Sequence, residues 1–194
     1  MKDGFLGGTF DPPHFGHLNL AQEALEKFNL DNVYFVPSRN PPHKNISSLT
    51  SFKYRYEMLQ SAIEGNLSFH VADLDTVDFP SYTVDMLSRI VSKKYKPCFI
   101  MGADSLKEIH TWREPEKILQ LADVLVGTRP GFDLSSVQNE YLSNVNLFEF
   151  PGIWISSTDI KQRVQMKRSI SYLVPEAVKL YIRKRGLYGA EESN

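Results

Sequence analysis

The residues best suited to chemistry lie in Gly7–His17, which reads Gly-Gly-Thr-Phe-Asp-Pro-Pro-His-Phe-Gly-His. His14 and His17 are three positions apart, so on a helix they share a face. Gly16 between them keeps the space beside the rings open. A short apolar run, Gly4–Leu6, precedes this stretch and suits a buried strand. Behind it Leu18, Leu20, Ala21, Ala24, Leu25 and Phe28 form one apolar helical face. The stretch is therefore a strand-to-helix turn. Gly7 and Gly8 let backbone approach a ligand. Asp11, followed by two prolines, reads as a helix-capping carboxylate. Two imidazoles beside a helix N-terminus can grip polyphosphate and donate hydrogen bonds to oxygens that gain charge as a phosphate bond breaks. Two other readings compete: a pair of structural histidines, and a metal site completed by Asp11 or His43.

The surrounding elements must hold this turn. Val33–Val36 is a near-continuous apolar strand ended by Pro37, as in a parallel sheet covered on both faces. The loop 38–45 carries Arg39, His43 and Lys44, and it cannot be regular structure with Pro41 and Pro42 inside it. It lies where open α/β sheets bind ligands, and Lys44 is its expected phosphate contact. Ser51 caps a helix over 52–64 whose inner side holds Tyr56, Leu59 and Ile63. A strand over 68–72 follows, with His70 as a structural residue. Asp73–Asp78 reads as a solvated connection rather than a metal site. Pro80–Thr83 opens the next helix, with Ser81 or Thr83 as cap.

Pro97–Met101 is the clearest buried strand. It ends in Gly102-Ala103-Asp104-Ser105, where Asp104 either caps a helix or accepts ribose hydroxyls. Trp112, beside Arg113, offers a surface for a planar ring or packs on the core. Asp123–Val126 is a strand leaving through Thr128–Gly131. Residues 133–146 are polar and irregular or weakly helical. Leu147–Phe150 is the last strand. Ser156, Ser157 and Thr158 open a helix carrying Lys161 and Arg163 and offer donors to a phosphate. A final helix runs to Arg185, with Gly186 closing it.

Strands alternating with helices predict one domain with a Rossmann-like parallel sheet and helices on both faces, spanning residues 1–188, with 189–194 as a frayed tail. The chain has 194 residues and a formal net charge of −1, which argues against general nucleic-acid binding. Cys98 is the single cysteine, so no intrachain disulfide forms; this fits a reducing cytoplasm. No stretch reaches the apolar length of a membrane span, and the N-terminus lacks a signal-peptide layout.

Together these pieces resemble the bacterial nicotinate mononucleotide adenylyltransferases, within the larger group of HxGH nucleotidyltransferases. The resemblance rests on Gly7–His17, Pro41-Pro42-His43-Lys44, Ser81-Tyr82-Thr83, Gly102-Ala103-Asp104 through Trp112-Arg113, Ile155–Thr158, and Val174-Pro175 through Gly186-Leu187-Tyr188. It implies attack of the nicotinate mononucleotide phosphate on the α-phosphate of ATP, giving nicotinate adenine dinucleotide and pyrophosphate. It also implies Mg²⁺ held chiefly by phosphates and waters, and no metal bound by protein ligands alone. By the family pattern, His14, His17 and Lys44 are catalytic. ATP meets Gly7, Gly8, Thr9, Phe10, Gly102, Asp104, Ile155, Ser156, Ser157, Thr158 and Lys161. The mononucleotide meets Asn40, Ser81, Tyr82, Thr83, Trp112 and Arg113. Expected partners are these two substrates, with no nucleic acid and no membrane, and a homodimer is left open. The family usually has arginine where this chain has Lys161; lysine keeps the charge and loses the two-pronged contact. Arg163, two helical positions on, points roughly 200° around from it.

Overall fold

The computed structural model describes residues 2–42, 48–74, 80–91, 95–133, 135, 137 and 139–190. The chain alternates β1 (Asp3–Gly8), α1 (Phe15–Lys27), β2 (Asn32–Pro37), α2 (Phe52–Ile63), β3 (Phe69–Val71), α3 (Thr83–Ile90) and β4 (Cys98–Gly102). It continues with α4 (Ala103–Glu108), α5 (Pro115–Leu121), β5 (Asp123–Thr128), α6 (Asn139–Leu142), β6 (Asn146–Glu149), α7 (Ser157–Gln165) and α8 (Glu176–Lys184). The sheet runs β3-β2-β1-β4-β5-β6, and all five pairings are parallel. Strand order therefore reverses between β1 and β4. At that point loops diverge to opposite faces and leave a crevice beyond the carboxyl ends.

The four central strands feed both layers, because successive side chains alternate between faces. Phe5, Phe99, Met101, Val124 and Val126 join Val84, Leu87, Leu106 and Ile118 on one side. Leu6, Cys98, Ile100 and Leu125 join Leu20, Ala21, Ala24 and Leu59 on the other. A third cluster, including Met58, Ile160, Val164, Val178 and Ile182, packs α7 and α8 against α2. Gly127 in β5 is needed for close packing: a Cβ there would lie 2.2 Å from Leu20 Cδ1.

Three expected caps differ from the structure. The N-cap of α1 is His14, while Asp11 turns inward and is buried. Ser51 occupies the N-cap of α2 without a side-chain hydrogen bond. Tyr82 is the N-cap of α3, and Ser81 Oγ instead accepts the Asn40 N–H at 3.0 Å. The polar stretch before β6 is anchored, since Val137 and Tyr141 are buried against the first cluster. His70 is structural: its Nε2 lies 3.1 Å from Asn32 Oδ1 and its ring stands beside Tyr34. Gly186 adopts φ +58° one residue past Arg185, the C-cap of α8. Past it, the Ala190 N–H donates to the Leu187 carbonyl at 3.0 Å; residues 191–194 lie outside the described residues.

Candidate active site

The crevice at the β1/β4 reversal is a cleft of about 470 Å³. Gly7 and Gly8 close β1 on its floor and Gly102 closes β4. A Cβ at Gly102 would meet nothing within 4 Å, so that strand end faces open space. Gly8 has a different reason to be glycine: its Cβ would lie 2.9 Å from the Phe10 ring. Phe10 is itself almost wholly buried, edge-on to both His17 and Phe35. It and the buried Ile155 can offer a ligand backbone only.

His14 and His17 stack with ring centroids 3.6 Å apart and 21° between planes. The His14 backbone N–H donates to His17 Nδ1 at 3.2 Å. With Nδ1 accepting, the proton of a neutral His17 ring sits on Nε2. His14 is buried, and its Nδ1 makes no hydrogen bond. Burial, then the nearby Arg129 guanidinium, lowers His14 to about 4. Burial, then His14, pushes His17 well below the ordinary imidazole value. Both rings are therefore neutral at pH 7 and add no positive charge before an anion arrives. A Cβ on Gly16 would lie 3.0 Å from His14 Cε1 and Nδ1, so glycine there gives the ring its room.

Below pH ~6.5 an unfolded chain protonates these imidazoles while the folded one does not. Their stabilising contribution is complete above that pH and is lost as pH falls toward 4. The melting temperature of the ligand-free protein is expected to fall across this window. A His14→Asn, His17→Gln double variant should fall less steeply, and coincident profiles would show that the pair carries no such linkage.

Asp11 organises the opposite wall. Its carboxylate accepts from Tyr188 Oη at 2.7 Å, Lys161 Nζ at 3.0 Å and the Thr50 N–H at 3.4 Å. Burial alone would raise its pKa, but hydrogen bonds from Thr50, Tyr188 and Lys161 outweigh it and hold the group below the usual value. Lys161 lines the cleft while tethered there. Lys161 is thus an aimed cation, with the Tyr188 ring 5.9 Å from its ammonium. Arg163 is turned away, its Nε donating to the Ser169 carbonyl at 3.0 Å.

The three hydroxyls opening α7 divide their work. Ser156 Oγ accepts the Asp159 N–H at 3.0 Å as a cap. Ser157 Oγ donates to the Pro12 carbonyl at 2.9 Å and latches α7 to the histidine turn. Thr158 remains exposed on the cleft. What α7 presents to an anion is its N-terminal backbone donors and one hydroxyl.

A second cavity, about 230 Å³, adjoins the first and shares Gly7, Gly8, Thr9, Phe99, Ser105 and Trp112 with it. Ser81, Tyr82, Thr83 and Arg113 line it; Asn40 does not. Asn40 is joined to the wall through its backbone, with the Ser81 N–H donating to its carbonyl at 2.9 Å. Trp112 meets both alternatives read from sequence: it packs edge-on to Phe99 at 6.3 Å and lines both cavities. The Arg113 guanidinium lies 4.9 Å from the Tyr82 ring centroid and pairs with Asp85 at 3.4 Å. Asp104 does not cap α4, whose N-cap is Gly102; its carboxylate is 78% exposed at the cleft, 3.5 Å from Arg129.

Lys44 and His43 lie outside the described residues, as do Asp75 and Asp78. Arg39, the remaining cation of that loop, donates through Nε to Asp73 at 3.1 Å and stacks over Phe52. Four site residues escaped sequence reasoning. Arg129 and Trp154 sit in loops without periodicity, and Tyr188 follows the last helix. Arg55 left a signal: it occupies the register of Met58, Leu59 and Ala62 on the buried face of α2.

Residues 5–163 match the cytidylyltransferase-like family. A probable nicotinate-nucleotide adenylyltransferase of Desulfitobacterium hafniense strain Y51 is 45% identical over 195 residues, covering 95% of this chain and 94% of that protein. One from Moorella thermoacetica is 42% identical over 198 residues, covering 95% and 90%. Nicotinic acid mononucleotide adenylyltransferase of Plasmodium falciparum, solved in complex with NaAD, has the same fold, with a TM-score of 0.83 at 21% identity over 100% of both chains. The chain belongs to the nicotinate-nucleotide adenylyltransferases of the cytidylyltransferase-like family.

Proposed function

We propose that the chain transfers the adenylyl group of ATP to nicotinate mononucleotide, releasing pyrophosphate and forming nicotinate adenine dinucleotide. The observation that carries this reading is the pair of adjoining cavities. They share the Gly7–Thr9 turn, so ligands in each bring their phosphates to one place, and the paired imidazoles flank that place. The relatives named above support the choice of substrates.

The mononucleotide phosphate is already ionised, so the transfer needs no strong base. The work is alignment and neutralisation of charge on the outgoing pyrophosphate. In this reading the triphosphate lies along His14, His17 and the α7 N-terminus, with Lys161 reaching its outer phosphates. Asp104 accepts the ribose hydroxyls, and Trp112 takes the nicotinate ring from the second cavity. Lys44 is retained as a catalytic phosphate contact on the motif alone. Mg²⁺ fits this donor set as a phosphate-held ion. Among the described residues the carboxylates lining the cleft are Asp11, committed to three donors, and Asp104, beside a guanidinium. Bound there, Mg²⁺ would supply charge neutralisation at the phosphates. We place the protein in the cytoplasm on its single cysteine and biosynthetic role; among the described residues no helix is long and apolar enough to cross a membrane.

A pyrophosphate-release assay decides the matter. ATP or CTP is paired with nicotinate mononucleotide, nicotinamide mononucleotide or phosphopantetheine. Release with ATP and nicotinate mononucleotide is expected. Release only with phosphopantetheine or CTP assigns another nucleotidyltransferase activity, and binding of ATP without release in any combination assigns a sensor.

A further inference from the structure

Trp154 is 81% exposed, an unusual state for the largest apolar side chain, and it stands on the rim of the larger cleft rather than on a remote surface. It is not loosely placed. The Arg129 guanidinium lies 4.8 Å from its ring centroid and also reaches Asp104 at 3.5 Å. Gly152 makes this possible: a Cβ there would fall 2.5 Å from Arg129 Cγ. Glycine at 152 therefore leaves room for the arginine side chain, which reaches both the carboxylate at the end of β4 and the indole. Trp154 lines only the larger cleft, whereas Trp112 also lines the smaller one.

We propose that Trp154, backed by Arg129, is the aromatic wall against which the purine base of the nucleoside triphosphate stacks. This rests on the reading of the larger cleft as the triphosphate site. With phosphates at the histidines and ribose at Asp104, the base extends toward the rim, where the Arg129 guanidinium lies over the Trp154 ring. A purine laid there covers apolar indole that water otherwise meets, and the planar cation adds its own attraction. Stacking of this kind tolerates any base. It supplies affinity, and discrimination among bases falls to edge contacts from backbone.

The chain has two tryptophans, so each can be observed alone. In Trp112→Phe, titration with ATP and Mg²⁺ should quench or shift Trp154 emission to saturation, while inorganic tripolyphosphate with Mg²⁺, which has no base, should not. In Trp154→Phe the remaining emission should respond to nicotinate mononucleotide. In steady state Trp154→Ala should raise the KM for ATP by about 5- to 50-fold, with kcat and the KM for nicotinate mononucleotide little changed, and Trp154→Phe should recover most of it. Wild-type KM for ATP in Trp154→Ala, or equal emission changes with ATP and tripolyphosphate, overturns the proposal. Failure of the wild-type protein to release pyrophosphate would instead refute the catalytic reading; ATP-specific quenching in that case would still stand as base stacking by a sensor.

Discussion

Replacing His17 with alanine is expected to lower kcat by about 10²–10³-fold. The reason is geometric. His17 Nδ1 is engaged by the His14 backbone N–H, so Nε2–H is left as a fixed donor on the cleft. A donor held in place before reaction stabilises charge that develops on a phosphate oxygen without reorganising during the step, which is why its loss falls on kcat. The imidazole also touches Phe10 and His14, so folding must be followed in the same sample. A melting temperature within a few degrees of wild type is expected, because His17 lines the open cleft and solvent can fill the space the truncation leaves. His17→Gln keeps an N–H near the Nε2 position and should retain more activity than alanine. Wild-type kcat in a folded His17→Ala protein would remove the histidine from the mechanism. So would a loss confined to the KM for ATP, which would mean binding alone.

The sequence is most informative where a local pattern and a buried position coincide. Apolar runs over 33–36 and 98–101 announce central strands because parallel strands covered on both faces cannot alternate polarity. The crevice then follows from topology, and the histidine turn and the Gly-Ala-Asp strand end fall into it. Long-range pairing is what sequence conceals. Asp11 looks like a cap because it precedes two prolines, but its partners Thr50, Lys161 and Tyr188 are 39, 150 and 177 residues away. Ser157 likewise looks like one of three phosphate donors until Pro12, 145 residues off, is seen to accept its hydroxyl. Trp154 carries no pattern at all, since its meaning depends on where Arg129 lies. Local chemistry was legible, and the contacts that aim it were not.

Arg55 shows how strongly that aiming depends on one buried group. Its side chain is wholly buried, and three backbone carbonyls accept hydrogen bonds from its guanidinium. Nη1 donates to Thr9 at 2.7 Å, Nε to Thr50 at 2.9 Å and Nη2 to Arg39 at 3.4 Å. The guanidinium fork thus joins α2 to the phosphate turn and to both ends of the 39–50 loop. Thr50 is held from two sides, because its N–H also donates to Asp11. Arg55→Met removes the fork while filling much of its volume, and it leaves three part-buried carbonyls without their donor. At roughly 1 kcal/mol or more for each unsatisfied acceptor, the expected loss is about 3 kcal/mol. That corresponds to a fall in Tm of about 6–12 °C for a domain of this size. Arg55→Lys should recover little, since one ammonium cannot span the three acceptors. Below the melting transition the methionine variant should also show a higher KM for both substrates, because Thr9 lies on the wall shared by the two cavities. A Tm within 2 °C of wild type, measured by calorimetry, would mean that water or rearranged backbone satisfies those carbonyls and that Arg55 does not hold the site together.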